Sequence, residues 1–252
     1  MDNKITLLFG DCIKLLPQID DKSIDMIMTD LPYGTTNCKW DSVIDLDLLW
    51  EQYERIIKDN GAIVLTAQTP FDKVLGCSNL KLLKYEWIWE KTQATGHLNS
   101  KKMPMKAHEN ILVFYKKLPT YNPQKTYGHV RKVSSAKNRS DCIIRKNESD
   151  EDIYKVEYPD RVETYDSTER YPRDVLKIKS DKQTLSLHKT QKPLELMEYL
   201  IKTYTNENDL VLDNTMGSGT TGVACKILNR NFIGMENNQK TFNIAEKRIN
   251  ET

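Results

Sequence analysis

Asp30-Leu31-Pro32-Tyr33 follows directly on the apolar run Ile24-Asp25-Met26-Ile27-Met28-Thr29. A run of that kind reads as a buried strand, so the acid sits where the strand emerges, the edge at which α/β proteins keep their ligands. A carboxylate beside a main-chain carbonyl offers two acceptors to an amino group with two N–H bonds. An exocyclic amine on a heterocycle is a poor nucleophile because its lone pair is delocalised into the ring. Acceptors aimed at both hydrogens return density to nitrogen and favour the pyramidal geometry needed for attack on a methyl sulfonium. Asp30 supplies one acceptor through its side chain and Leu31 the other through its backbone. Pro32 holds Leu31 extended and so aims that carbonyl, and Tyr33 offers a ring face to a base. Extruding a base from a duplex costs a few kcal/mol, of which aromatic stacking returns about 1 to 3. The same residues also suit a plain turn with proline at its second position.

A second group of residues lies near the other end of the chain. The strand Asp209–Asp213 leads into Gly217, Gly219 and Gly222, spaced G-x-G-x-x-G, and then into a helix and a strand ending near Glu236. Missing side chains allow a tight turn and close approach of a ligand to backbone N–H groups, and a carboxylate at the next strand end can take both hydroxyls of a ribose. In dinucleotide sites the first glycine follows the strand almost directly, whereas here Asp213-Asn214-Thr215-Met216 intervene. A strand-end carboxylate attracts the ammonium of a methionine moiety and repels a pyrophosphate. S-adenosyl-L-methionine is therefore favoured over NAD, with a dinucleotide site or simple close packing of a βαβ unit as the alternatives.

The elements that must position these residues alternate along the chain. Ile5–Phe9 and Ile24–Thr29 read as strands. Leu46, Leu49, Trp50, Tyr53, Ile56 and Ile57 mark the inner face of a helix closed by Asn60-Gly61. Further strands are expected at 62–67, 85–90 and 110–115, followed by a polar, charged stretch from Pro119 to Ser180. Alternation resumes with a proline-started helix at 193–201, the strand 209–213, a helix at 220–228, a strand at 231–235 and a last helix at 239–249. The expectation is an α/β fold with a doubly wound, mainly parallel sheet, residues 1–118 and 181–252 forming one domain and 119–180 an inserted target-recognition region.

The chain has 252 residues, and Lys+Arg 37 against Asp+Glu 36 leaves a net charge of +1, so a nucleic-acid surface must be a local patch. The five cysteines, Cys12, Cys38, Cys77, Cys142 and Cys225, have no C-x-x-C spacing, which speaks against a disulfide framework and against a zinc site. No metal set is expected. No apolar run has the length of a signal peptide or a membrane span, and a soluble, cytoplasmic protein is expected.

Three motifs in order, TDLPYG, then HKTQKP at 188–193, then DNTMGSGTTG, resemble those of the β-class amino-methylating DNA methyltransferases, which modify adenine N6 or cytosine N4. The resemblance covers nearly all of the chain outside the insertion. It implies a Rossmann-like methyltransferase fold, S-adenosyl-L-methionine as cofactor, double-stranded DNA as partner and substrate, and base flipping. Residue by residue it implies a catalytic set of Asp30, Leu31, Pro32 and Tyr33. The cofactor set becomes Asp11 and Cys12, Lys192 and Pro193, Asp213, Asn214 and Thr215, Gly217, Ser218, Gly219, Thr220 and Thr221, Asn237, and Glu236, which would bind the ribose. Asp11 has an equal claim as a helix cap, while for His188 and Lys192 a solvated loop is the lesser alternative.

One departure is visible: Leu31 replaces the first proline of D-P-P-Y, which costs local rigidity but not the carbonyl. Asp rather than Ser at the motif's start favours adenine, giving sequence-specific N6 methylation as the expected activity. Cytosine-N4 or RNA methylation and an NAD-dependent oxidoreductase stay open beside it. For DNA, Lys101 and Lys102 in HLNSKKMPMK and the basic first half of the insertion, with Lys125, Arg131, Lys132, Lys137, Arg139, Arg145 and Lys146, are the candidates. A homodimer and a restriction-enzyme partner are both open, and the recognition sequence is not written in these residues.

Overall fold

The computed structural model describes residues 4–34, 43–134, 165–180 and 192–252. Two compact units emerge: Met1–Asn122 with Arg173–Thr252, and Pro123–Pro172. Lys137, Arg139, Arg145, Lys146 and His188 lie outside the described residues.

The larger unit is built on strands β1 (Ile5–Phe9), β2 (Ile24–Asp30), β3 (Ile57–Ala67), β4 (Leu83–Thr95), β5 (Lys106–Phe114), β8 (Val175–Ile178), β9 (Leu210–Asp213) and β10 (Asn231–Glu236). They form one sheet in the order β1-β10-β9-β2-β3-β5-β4-β8. All neighbours are parallel except at β5, which runs antiparallel to both β3 and β4. From β9 the chain crosses to β10 on one side, and from β2 it crosses to β3 on the other. The boundary between β2 and β9 is therefore the topological switch point, where a crevice opens beyond the carboxyl ends of the strands. Asp30 and Asp213 are the last residues of those two strands.

Helices cover both faces. Alternate residues of the central strands, Met26 and Met28 on β2 and Ala62 and Val64 on β3, pack with α4 (Leu194–Tyr204), α5 (Thr220–Ile227) and α6 (Gln239–Glu251). Ile27, Ile63 and Leu65 face the other way, onto α1 (Cys12–Leu15), α2 (Leu46–Ile56) and α3 (Phe71–Ser78). On α2 the buried stripe is Leu49, Trp50, Tyr53 and Ile56, and the Asp45 carboxylate caps its start by accepting from the N–H groups of Asp47 and Leu48. Each such buried apolar side chain contributes about 1.5–3 kcal/mol.

Three expectations change. The helix α2 ends at Ile56, and Asn60-Gly61 lies inside β3 rather than closing the helix. Gly61 is needed there because a Cβ would stand 2.7 Å from Ile57 Cδ1 and 2.8 Å from the Asp25 carbonyl. Pro193 is the N-cap of α4 rather than a first-turn residue. Residues 175–178, inside the expected insertion, form β8 and extend the main sheet beside β4.

In the smaller unit, β6 (Lys132–Ser134) pairs antiparallel with β7 (Tyr165–Ser167), and Thr126 bridges to Arg170. Lys125, a candidate for phosphate contact, instead meets Glu169 at 2.8 Å and stands 4.8 Å from the Tyr171 ring centroid. Among the described residues no helix is long and apolar enough to cross a membrane.

Candidate active site

A cleft of about 790 Å³ opens at the switch point, in the larger unit. Its walls include all four expected catalytic residues, Asp30, Leu31, Pro32 and Tyr33, together with Asp11, Cys12, Lys192, Asp213, Asn214, Thr215, Gly217, Ser218, Thr220, Thr221, Glu236 and Asn237. Two expected members, Pro193 and Gly219, are not in the wall.

On the β9 side, Asp213 is 3% exposed. Its Oδ1 accepts from Thr29 Oγ1 at 2.8 Å and Thr215 N at 3.1 Å, and its Oδ2 from Thr221 Oγ1 at 2.6 Å. Burial pushes its carboxyl up to about 6, against the lowering effect of these hydrogen bonds. Next to it, Asn214 Oδ1 accepts from the buried Tyr53 hydroxyl at 2.5 Å, while the Asn214 Nδ2 group is buried with no acceptor. Glu236 closes β10, and its Oε1 accepts from Asn238 N at 2.7 Å. Asp11 caps α1 through the Ile13 N–H at 3.0 Å while also lining the cleft, so both readings of it are compatible.

The three glycines separate by role. Gly217 has φ +52° and open space where a Cβ would be, with only the Thr215 carbonyl at 4.0 Å. Gly219, at φ +80°, lies against Ala245 of α6, and Gly222 would drive a Cβ to within 2.4 Å of Ile249 and 2.7 Å of Phe232. The first glycine faces the cleft; the other two let α5 pack. Gly219 lies outside the cleft wall and shapes the loop from behind. The loop is further held by Arg248 Nη1, which donates to the Ser218 carbonyl and to Ser218 Oγ.

On the β2 side, Asp30 Oδ1 accepts from the Tyr33 hydroxyl at 2.6 Å and from the Thr66 hydroxyl, and Oδ2 from Lys192 Nζ at 2.8 Å. Lys192 Nζ also donates to Tyr33 Oη at 3.3 Å and lies 3.0 Å from Glu109 Oε2. The other oxygen of Glu109 meets Lys91 Nζ at 2.5 Å. Acid and base thus alternate along Asp30, Lys192, Glu109 and Lys91. Burial opposes the charge on Lys192, but Asp30, Tyr33 and Glu109 outweigh it and hold the ammonium well above the usual lysine range. For Glu109 burial acts upward, and the two lysines overcome it and lower the carboxyl. The Tyr33 phenol is raised well above its ordinary value, by burial first and then by Asp30, so it remains a donor. Its ring stacks on Phe71, 5.4 Å between centroids, which leaves less of it open to a base than the sequence suggests.

The two sides are joined. Thr29 Oγ1 lies 2.7 Å from Thr215 Oγ1, and Thr215 Oγ1 donates to the Asp30 carbonyl at 3.0 Å. Thr29, Thr66, Tyr53, Lys91, Glu109 and Arg248 were not foreseen. Glu109 had a signal, an acid breaking the apolar strand HENILVF; the threonines and tyrosine had none. Of the DNA candidates, Lys101 and Lys102 are exposed between β4 and β5 beside Leu98, which is 98% exposed, and Arg131 is exposed. For Lys132 only the backbone, in β6, is described.

A cleft at the switch point of a mixed sheet, with one acid on each side, defines a nucleoside-binding α/β enzyme. The DNA methylase model of the N6/N4 type matches residues 24–247, and the chain belongs to that family of DNA methyltransferases. It is 29% identical to the type II methyltransferase M1.MboII of Moraxella bovis over 96% of this chain and 95% of that one. It is also 28% identical to M.HinfI of Haemophilus influenzae, over 98% of this chain and 68% of that one. Among solved structures, the M1.HpyAVI–SAM complex matches with a TM-score of 0.63 and 25% identity, covering 98% of this chain and 99% of that one. The cytosine-N4-specific PvuII DNA methyltransferase matches in fold, with a TM-score of 0.70 at 15% identity over 98% of this chain and 87% of that one.

Proposed function

We propose that this chain transfers a methyl group from S-adenosyl-L-methionine to N6 of an adenine swung out of double-stranded DNA at a specific sequence. The observation that supports it most is the join between Asp213 and Asp30 through Thr29 and Thr215, which sets a donor site and an amine site at a fixed spacing.

The β9 side suits the cofactor. A buried carboxylate with only neutral donors is a half-made ion pair, suited to the ammonium of a methionine moiety. The unpaired Asn214 Nδ2, the open face of Gly217 and the first N–H groups of α5 offer donors to its carboxylate. Glu236 and Asp11 are placed to hold the nucleoside end. When bound, this group supplies an electrophilic methyl on a sulfonium.

The β2 side suits the amine. Asp30 and the Leu31 carbonyl accept its two N–H bonds, and Asp30 then takes the proton that the methylated nitrogen sheds. Tyr33 and Thr66 fix Oδ1, which keeps the acceptor aimed during that step. The side of the Tyr33 ring that faces the cleft, backed by the buried Phe71, forms the floor on which the base rests.

Incubation of the protein with tritiated cofactor and duplex DNA, followed by mass spectrometry of the nucleosides, tests this. N6-methyladenine is the expected product. N4-methylcytosine would retain the chemistry and reject the base, and label in neither would overturn the proposal.

A further inference from the structure

Lys192 is a costly residue to bury beside an acid whose task is to accept a proton. We infer that Asp30 and Lys192 together form a reading edge for the target base, Asp30 accepting from the amine and Lys192 donating to the ring nitrogen next to it. This rests on the base-methylation reading above.

Asp30 Oδ2 and Lys192 Nζ stand 2.8 Å apart, an acceptor and a donor side by side in the cleft wall. Thymine presents its O4 and N3–H to adenine in that same order. Adenine offers N6–H beside N1, and cytosine N4–H beside N3, so both fit the pair. Guanine and thymine offer a carbonyl beside an N–H. Their oxygen would face the carboxylate and their N–H the ammonium, setting acceptor against acceptor and donor against donor, a mismatch that selects strongly against them. The edge therefore reads amine-bearing bases as a class, without separating adenine from cytosine.

The surroundings fit a cation held ready for a ligand. The ammonium is held by two carboxylates, Asp30 Oδ2 at 2.8 Å and Glu109 Oε2 at 3.0 Å, and reaches Tyr33 Oη only at 3.3 Å. That longest contact is the one a ring nitrogen can replace, because the Tyr33 hydroxyl already donates to Asp30. Lys91 in turn fixes Glu109, which makes Glu109 a positioning residue. A donor on the ring nitrogen draws density away from the amine, so the two acceptors on the amine must outweigh it. An attached carboxylate that is itself held by two hydroxyls is built for that.

The test uses duplexes with the target base opposite an abasic site, so that extrusion costs the same for every base. Binding of adenine is compared with 1-deazaadenine, in which C–H replaces N1, for the wild type, Lys192→Met and Lys192→Arg. If cytosine proves to be the methylated base, 3-deazacytosine takes its place. Wild type is expected to bind the deaza base about tenfold to a hundredfold more weakly, the worth of one charged hydrogen bond. Lys192→Arg should keep a preference, and Lys192→Met should bind both bases within about twofold, with a thermal melt confirming that it folds. Equal binding of the two bases by wild type, or an undiminished preference in a folded Lys192→Met, overturns the inference. Should Lys192→Met not fold, the wild-type comparison decides alone. Failure of the underlying function looks different: the wild type then methylates no natural base.

Discussion

The two strand-end acids occupy equivalent places on adjacent strands and live in opposite surroundings. Asp213 is buried among neutral donors from Thr29, Thr215 and Thr221, and its carboxyl is pushed up to about 6. Asp30 is 30% exposed in its side chain and already carries a cation, Lys192. One acid awaits a positive partner and the other has one built in. The difference fits the ligands proposed for them, since a methionine ammonium brings its own charge and an aromatic amine brings none. A residue's type and its place on the sheet are thus not enough to assign its work; the partners of each oxygen are needed.

The strongest way to break this comparison is to remove Asp30. Asp30→Ala is expected to lower methyl transfer by about a thousandfold or more, while cofactor affinity measured by calorimetry changes by less than about twofold. Comparable turnover in that variant would end the proposed role. Asp213→Asn should do the reverse, weakening cofactor binding by about tenfold to a hundredfold.

Protons sharpen the same contrast. The Asp213 carboxyl is raised in the fold, so the stability it contributes as the neutral acid is fully present below the unfolded value of 3.8 and is lost as pH rises through about 6. Cofactor binding runs the other way, because it needs the ionised form. Affinity is expected to fall by about tenfold per unit below pH 6, a slope that Asp213→Asn should lack. A wild-type profile flat down to pH 5 would show that Asp213 does not face a cation.

Smaller effects follow on the base side. Tyr33→Ala should slow turnover more on a matched duplex than on a mismatched or single-stranded site, where extrusion is easier. An equal loss on all three would remove the ring from base holding. Replacing Lys101 and Lys102 with alanine should weaken DNA binding by a few fold and make the slope of log affinity against log salt shallower by about 2. An unchanged slope would place the loop away from phosphate.

Much of this was legible in the sequence, and the limits have physical causes. Strand ends next to Asp30, Asp213 and Glu236 could be read because buried parallel strands are continuous apolar runs. Asn60-Gly61 misled because glycine closes helices and also permits close packing inside strands, and only the neighbours Ile57 and Asp25 decide which. The G-x-G-x-x-G pattern marked a loop that lines the cleft but merged one cleft-facing glycine with two that admit α6 and β10. Lys192 was singled out as a cofactor contact, yet its hydrogen-bond partner is Asp30, and Glu109, which pairs with both Lys192 and Lys91, lies on a distant strand, a pairing that spacing along a chain cannot express.

The strand order carries a consequence for synthesis. Both β9 and β10 are wedged between β1 and β2, and Thr29 meets Asp213 across 184 residues. An amino-terminal fragment that stops short of β9 lacks the second acid, however well its own strands form. The chain past Glu236 must leave the ribosome before the sheet closes at its centre, so the edge of β2 stays open until β9 and β10 arrive.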